Sequence, residues 1–284
     1  MKKEKQIVVL GTNGMVGSMV YSYLTKNADL DVYGTVRNTH LLSDRIFYLD
    51  VRTCRKDFIA IINKLKNVDY IINCIGILKT NTLSDYYKIN SNFPKDMALL
   101  AQKYRSNMIH ISTDGVFSQL STINNETSVA NPEDDYGKSK LLGEPDSQST
   151  ISIRSSFLGL DPQQHKGLLE NILSSQHING YTNQLWSGCT TLQFSQLCKR
   201  IIIEDTFQHM RNKSHIYHFA PLKNITKYEI IKKFLSIKKI AKAVTRTENK
   251  PITRQLVTRF QNEIFLDSFS SSLHEALLEL ISYY

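Results

Sequence analysis

Three side chains in the middle of this 284-residue chain have the types and spacing to do chemistry together: Thr113, Tyr136 and Lys140. Tyr136 and Lys140 stand four apart, so on a helix they share one face while Lys138 and Ser139 point elsewhere. A free tyrosine has a pKa of about 10, too high for efficient proton exchange at neutral pH. A neighbouring ammonium is expected to lower it by stabilising the phenolate. Thr113 precedes the tyrosine by 23 residues (136 − 113) and follows the apolar run Asn107 to Ser112, where its hydroxyl can hydrogen-bond a substrate carbonyl. A tyrosine and a lysine four apart occur often by chance. Ser112-Thr113-Asp114 at the end of a strand makes chance a poor explanation here.

A second motif lies near the start. Gly11-Thr12-Asn13-Gly14-Met15-Val16-Gly17 follows the apolar run Ile7 to Leu10 and opens an amphipathic stretch. Glycines at this spacing let the backbone approach a pyrophosphate, whose charge a helix N-terminus favours. The next apolar run ends at Gly34-Thr35-Val36-Arg37, with Arg37 where an NAD enzyme would often carry an acidic residue for the ribose hydroxyls. A guanidinium suits the extra phosphate of NADPH. A solvated loop arginine is the competing reading.

The elements that must position these residues follow from the alternation of short apolar runs with helical stretches, which predicts parallel βαβ units. Strands are expected at Gln6 to Leu10, Asp31 to Val36, Asp69 to Cys74, Asn107 to Ser112 and Ile151 to Ser155. Helices are expected at Met15 to Lys26, Arg55 to Lys66, Phe93 to Arg105 and Asp135 to Glu144. The rhythm weakens after Ser156, so residues 1–156 read as the dinucleotide-binding domain and 157–284 as mainly a smaller substrate-binding lobe. A strand at 215–220, around Ile216-Tyr217-His218-Phe219, is expected to return to the main sheet.

Composition excludes several classes. The apolar fraction of 41% fills a core. The run after the basic N-terminus stops at Gly11, too short for a signal peptide or a span, so the expectation is a cytoplasmic protein without a membrane. Four cysteines without a CxxC pair argue against disulfides and zinc, and no metal is expected. The net charge of +9 is scattered, which favours an anionic small molecule over nucleic acid. The lysine-rich stretch from Lys232 to Lys242 reads as an amphipathic helix with a solvated face. His110, inside an apolar strand, reads as a satisfied core histidine.

The strings GTNGMVGS, NCIG, HISTDGVFS and DDYGKSKLLGE together resemble an extended short-chain dehydrogenase/reductase of the dTDP-4-dehydrorhamnose reductase type, over roughly residues 6 to 160. The resemblance implies a Rossmann-type doubly wound parallel sheet and a catalytic triad of Thr113, Tyr136 and Lys140, with Ser112 as the fallback hydroxyl and Lys140 also holding the nicotinamide ribose. It implies cofactor contacts from Asp50-Val51 at the adenine and from Cys74, Ile75 and Gly76, within the string Asn73-Cys74-Ile75-Gly76, beneath the cofactor. Further on, IRSSFLG and GYTNQLWSGCTTLQFSQL are similar to reductases of UDP-linked 4-keto-6-deoxy-2-acetamido sugars. The implied activity is therefore NADPH-dependent reduction of a nucleotide-sugar C4 ketone for surface polysaccharide precursors, with room for a homodimer. Two departures count. The glutamate that follows the Asp in sugar-nucleotide dehydratases is replaced by Gly115, which argues against dehydration, and Gly115 also stands where such reductases often carry a larger residue. Epimerases, dehydratases and a regulatory subunit without turnover are the alternatives. In the second half, Trp186 could stack on a base or sugar, with core packing as its competing role. Thr190 or Thr191 could bond the diphosphate, and Lys166 and Arg254 are candidate diphosphate partners.

Overall fold

Short strands buried on both faces can sit only inside a layered sheet, and that property organises the first half of this chain. A computed structural model describes residues 4–121, 123–163, 165 and 167–284; Lys166 lies outside the described residues. The strands are β1 (Lys5–Leu10), β2 (Leu30–Val36), β3 (Ile46–Tyr48), β4 (Tyr70–Asn73), β5 (Asn107–Thr113), the two-residue β6 (Ile123–Asn124) and β7 (Thr150–Ser155). They continue with β8 (Phe157–Leu158), β9 (Ile178–Tyr181), β10 (Leu185–Thr190), β11 (Ile216–His218), β12 (Leu222–Thr226), β13 (Val244–Thr247) and β14 (Gln255–Leu256). The helices are α1 (Met15–Thr25), α2 (Cys54–Leu65), α3 (Leu83–Tyr86), α4 (Phe93–Lys103), α5 (Asp135–Leu142), α6 (Leu168–Ser174), α7 (Thr191–Ile203), α8 (Phe207–Lys213), α9 (Lys227–Ile237) and α10 (Leu273–Tyr283).

Seven strands form one parallel sheet in the order β11-β7-β5-β4-β1-β2-β3. The order reverses between β1 and β4, and in open α/β sheets the crevice at such a reversal is where ligands bind. Helices cover both faces, giving the doubly wound α/β arrangement that the motifs imply. On one face Val20 and Leu24 of α1 pack with Leu197 and Ile201 of α7. On the other, Phe58 and Ile62 of α2 meet Met97 and Ala101 of α4.

Residues beyond 157 divide their roles. α7, α8 and β11 join the main sheet and its core, and β11 pairs in parallel with β7 through Ile216↔Ser152 to His218↔Arg154. The remainder forms a lobe with its own core, where Leu158, Leu169, Ile225, Ile230, Phe234 and Leu277 pack together. α9 buries Ile230, Ile231, Phe234 and Leu235 and leaves Lys232 and Lys233 exposed. Lys242, from the same basic run, caps α6 instead, donating to the carbonyls of Ile172, Leu173 and Ser175 at 3.1, 2.5 and 3.0 Å. No helix among the described residues is long and apolar enough to cross a membrane.

Candidate active site

The glycine loop sits at the C-terminal end of β1, at the crevice where the strand order reverses. Gly11 has φ +80°, a left-handed conformation that side chains rarely adopt. A Cβ on Gly17 would lie 2.1 Å from the Gly11 carbonyl oxygen, so glycine is required where α1 meets the loop. Thr12 is buried and bonds the Thr35 carbonyl through both its N–H and its hydroxyl, at 3.0 and 3.2 Å. Asn13 donates to Gln163 at 2.9 Å, tying the loop to the second half. Gly14 is the N-cap of α1, with Met15, Val16 and Gly17 in its first turn; no side chain caps the helix and no acidic residue stands in that turn. The uncapped N–H groups leave a site for an anion.

The catalytic candidates come together through close backbone contacts. Asp134 caps α5 by accepting from the Gly137 N–H at 2.7 Å, which places Tyr136 in the first turn. A Cβ on Gly137 would lie 2.2 Å from the Gly115 carbonyl oxygen, and one on Gly143 would lie 1.7 Å from that of Asn90. Glycine at both positions lets the turn after β5 and the segment before α4 lie directly against α5. Thr113 ends β5, and its hydroxyl accepts from the Gly115 N–H at 3.0 Å, lies 3.2 Å from Asp114 Oδ1 and is near enough to the Tyr136 phenol to lower its pKa.

The electrostatics differ from the expectation of a depressed tyrosine pKa. Burial pushes the Tyr136 phenol up to about 12; the Thr113 hydrogen bond and Arg254 lower it, and Asp114 and Asp134 raise it. Lys140 takes no part in that balance, because its ammonium donates to the Ile111 carbonyl at 2.6 Å. The lysine is itself buried, which brings its pKa down to about 8 against the opposing pull of Glu144 and Cys74. At neutral pH the site therefore holds a protonated phenol beside a largely charged amine, the states needed to give up a proton. His110 is fully buried with Nδ1 3.0 Å from the Asn73 amide, and Nε2 finds no partner among the described residues, so the expected satisfaction is only half met. Burial first, and Lys140 second, hold it neutral.

Other candidates are distributed unevenly. Arg37 is exposed just past the end of β2, close enough to act on Asp50, whose carboxyl is drawn down to about 2 chiefly by Arg52. Arg52 grips both oxygens of buried Asp50 at 3.0 and 2.6 Å, leaving half-buried Val51 as the freer member of that pair. Cys74, Ile75 and Gly76 follow β4 directly, and the Gly76 Cβ position lies 3.8 Å from Lys140 Nζ. Ser112 points away from the reacting face: its hydroxyl donates to Glu144 at 2.5 Å, because side chains alternate along a strand. Thr190 is fully buried as the N-cap of α7 in a capping box with Gln193, which removes its hydroxyl from any diphosphate; Thr191, the next residue, is fully buried as well. Trp186 is half-buried on β10 and donates its ring N–H to Ser156 at 2.9 Å. Arg254 reaches the site but is bound to Asp114 Oδ2 at 2.9 Å and to the Phe117 carbonyl at 3.0 Å.

Two residues gain a place that sequence reasoning did not assign. Asn90 lies in a π-helical turn, Tyr87–Asn92, and its fully buried amide bonds the N–H and carbonyl of Ile77 and the hydroxyl of Ser139. It clamps the loop after β4 against α5. A π-turn breaks the 3.6-residue period, so no pattern marked it. Asp114, noted only for lacking a following glutamate, connects Thr113 to Arg254. No group of His, Cys, Asp and Glu among the described residues could hold a metal ion.

A family model described as the RmlD substrate binding domain matches residues 5–263. In structure, the chain resembles dTDP-4-dehydrorhamnose reductase from Bacillus anthracis in complex with NADP (TM-score 0.76, 19% identity, 99% of each chain). It also resembles the one from Clostridium acetobutylicum (TM-score 0.73, 20% identity, 98% of this chain and 99% of that one). At these identities the likeness establishes the fold. In sequence, it is 28% identical over 142 residues to methionine adenosyltransferase 2 subunit beta of Danio rerio, a match spanning 49% of this chain and 42% of that protein. The chain belongs to the RmlD substrate binding domain family.

Proposed function

We propose that this protein binds NADPH and reduces the C4 ketone of a nucleotide-linked 6-deoxy-4-keto sugar, with a UDP-linked 2-acetamido sugar preferred over dTDP-4-dehydrorhamnose. The observation that carries the reading is Tyr136 beside Thr113 and one helical turn from Lys140, kept protonated by burial, together with an uncapped glycine-loop helix. The residues present fit a dinucleotide: the α1 N–H groups would take the pyrophosphate, Arg37 the extra phosphate and Lys140 the nicotinamide ribose. When bound, the reduced cofactor supplies the hydride. As the carbonyl π bond breaks, Tyr136 gives its proton to the forming alkoxide, and Thr113 and Arg254, which lower the phenol's pKa, favour the phenolate left behind. Thr113 positions the phenol and the carbonyl oxygen. The Bacillus anthracis reductase, described in complex with NADP, supports the cofactor; the UDP preference rests on the likeness of residues 180–197 to amino-sugar reductases.

One observation favours a second reading: the Danio rerio relative is named as a subunit of another enzyme. On that reading the chain would bind cofactor and turn over nothing. A single experiment decides. Given NADPH and a panel of nucleotide-linked hexoses, the protein should oxidise cofactor only with 4-keto-6-deoxy sugars and yield the 4-hydroxy product. Tyr136→Phe should lose nearly all turnover while binding NADPH near normally. Conversion of the 4-hydroxy parent sugar without cofactor use, interconversion of epimers, or cofactor binding without turnover each rejects the reductase reading.

A further inference from the structure

His218 stands where three parts of the chain meet: the sheet edge at β11, the short strand β6, and the returning segment 253–259 around β14. Its side chain is buried, with the residue 1% exposed. Nδ1 lies 3.2 Å from the Asn124 carbonyl and 3.0 Å from that of Val257; both are acceptors, so the ring proton sits on Nδ1 and is shared between them. Nε2 is then the lone-pair side, and it faces a donor, Arg154 Nη1, at 3.4 Å. The neutral ring fits every one of these neighbours. A second proton would sit on Nε2 against a guanidinium that Glu144 already holds through two bonds at 2.8 Å. Glu126, in the turn after β6, is the carboxylate whose charge reaches the ring. Its oxygens accept from the His218 backbone N–H at 3.0 Å, the Thr258 hydroxyl at 2.5 Å and the Arg259 backbone N–H at 2.9 Å. Burial has the largest influence on the ring, Glu126 opposes it and Arg154 adds to it; the balance holds the pKa below the ordinary 6.5.

Segment 253–259 depends on this corner. The Val257 N–H donates to the Asn124 carbonyl at 2.9 Å, and the Asn124 amide donates to the Gln255 carbonyl at 3.2 Å. The same segment carries Arg254 to Asp114. We propose that His218 is an acid-sensitive latch: its neutral ring fastens residues 255–259 to the sheet edge, and a second ring proton releases them and withdraws Arg254 from Asp114. A ring freed into water regains its ordinary proton affinity, so protons favour the released state. The latch is fully closed above pH 6.5 and weakens as the pH falls towards the ring's lower value in the closed state. Across that window each unit of acidification raises the released-to-closed ratio about tenfold. The latch belongs to the fold and stands apart from any reaction assigned to the site.

Amide hydrogen exchange on the full chain tests it, between about pH 7.5 and about pH 5, with the intrinsic pH dependence of exchange divided out. The expected result is that residues 253–259 lose protection about tenfold per pH unit below about 6.5 while β1 and β4 stay protected. A nuclear magnetic resonance titration of the His218 ring should follow the same curve. His218→Asn keeps an N–H donor near the Nδ1 position but cannot take a second proton, so its protection should not vary with pH. Should that variant fail to fold, the wild-type ring titration and the wild-type exchange decide between them. Wild-type protection that holds to about pH 5, a ring that titrates without loss of protection in 253–259, a loss spread over the whole sheet, or the same pH slope in His218→Asn overturns the inference.

Discussion

A lysine held in the protein interior with its charge on is costly, and Lys140 is such a residue, 3% exposed with its ammonium donating to the Ile111 carbonyl. Its pKa of about 8 lies below the roughly 10.4 of an unfolded lysine. Between those values the unfolded chain binds more protons, so the stability cost is full below pH 8 and fades as pH rises towards 10. Lys140→Met should therefore abolish turnover yet raise stability at pH 7, by on the order of 1–3 kcal/mol after the lost bond to Ile111 is discounted. Urea unfolding should show the gain shrinking above pH 8, and a variant less stable than wild type at pH 7 contradicts the account. Exposed Arg37 belongs to the opposite class, because its charge stands in solvent and its pull on Asp50 is weaker than that of Arg52. Arg37→Ala should raise the KM for NADPH about 10- to 100-fold, the value of a charge-assisted bond to phosphate, and leave that for NADH alone. Equal use of the two cofactors by the wild type removes Arg37 from the site.

Helix termini decide which polar residues remain free to act. α1 begins without a side-chain cap, whereas α7 begins with Thr190 and Gln193 satisfying each other's backbone N–H groups. The first end is open to an anion and the second is closed. Thr190→Val should accordingly cost about 1 kcal/mol, a fall in Tm of roughly 2–4 °C, with unchanged kinetics for cofactor and sugar. A selective rise in the sugar KM at wild-type stability would return Thr190 to the substrate site. The same logic separates Thr113 from Ser112. Adjacent residues of β5 face opposite sides, so only one hydroxyl can reach Tyr136, and the other joins Glu144.

Across the whole molecule the two halves of the chain are joined by polar groups buried under α5. Glu144, just past α5, and Arg154 on β7 form two parallel hydrogen bonds at 2.8 Å, with side chains 5% and 6% exposed. Arg154 also approaches His218 of β11 at 3.4 Å. Glu126 accepts from the His218 backbone at 3.0 Å and from the Arg259 backbone at 2.9 Å, fastening residues 258–259 to the sheet edge. Truncating one partner of such a pair leaves an uncompensated charge, so Arg154→Met should destabilise by about 3–5 kcal/mol. Adding Glu144→Gln should recover part of that loss, because the stranded carboxylate is removed. Chemical unfolding of the single and double variants measures both, and a cost below about 1 kcal/mol for Arg154→Met would show the pair to be solvated.

The sequence by itself determined what local pattern controls. Apolar runs located β1, β2, β4, β5 and β7, and the helical period located α1, α2, α4 and α5, each within one or two residues. It also supplied β11, and the Tyr136–Lys140 and glycine-loop motifs at their proper places on helix and strand ends. β3 was not placed because its run, Ile46-Phe47-Tyr48, is only three residues long and partly exposed, too short to tell from a loop by pattern. What only the tertiary structure decided is which groups meet. The choice of Thr113 over Ser112, the diversion of Lys140 to Ile111, the Asp114–Arg254 pair 140 residues apart and the Asn90 clamp all depend on through-space contacts, which no period or spacing encodes. The tyrosine's raised pKa has the same origin: side-chain spacing predicts a neighbouring charge, but burial, the larger effect here, appears only when the sheet and helices have closed over the site.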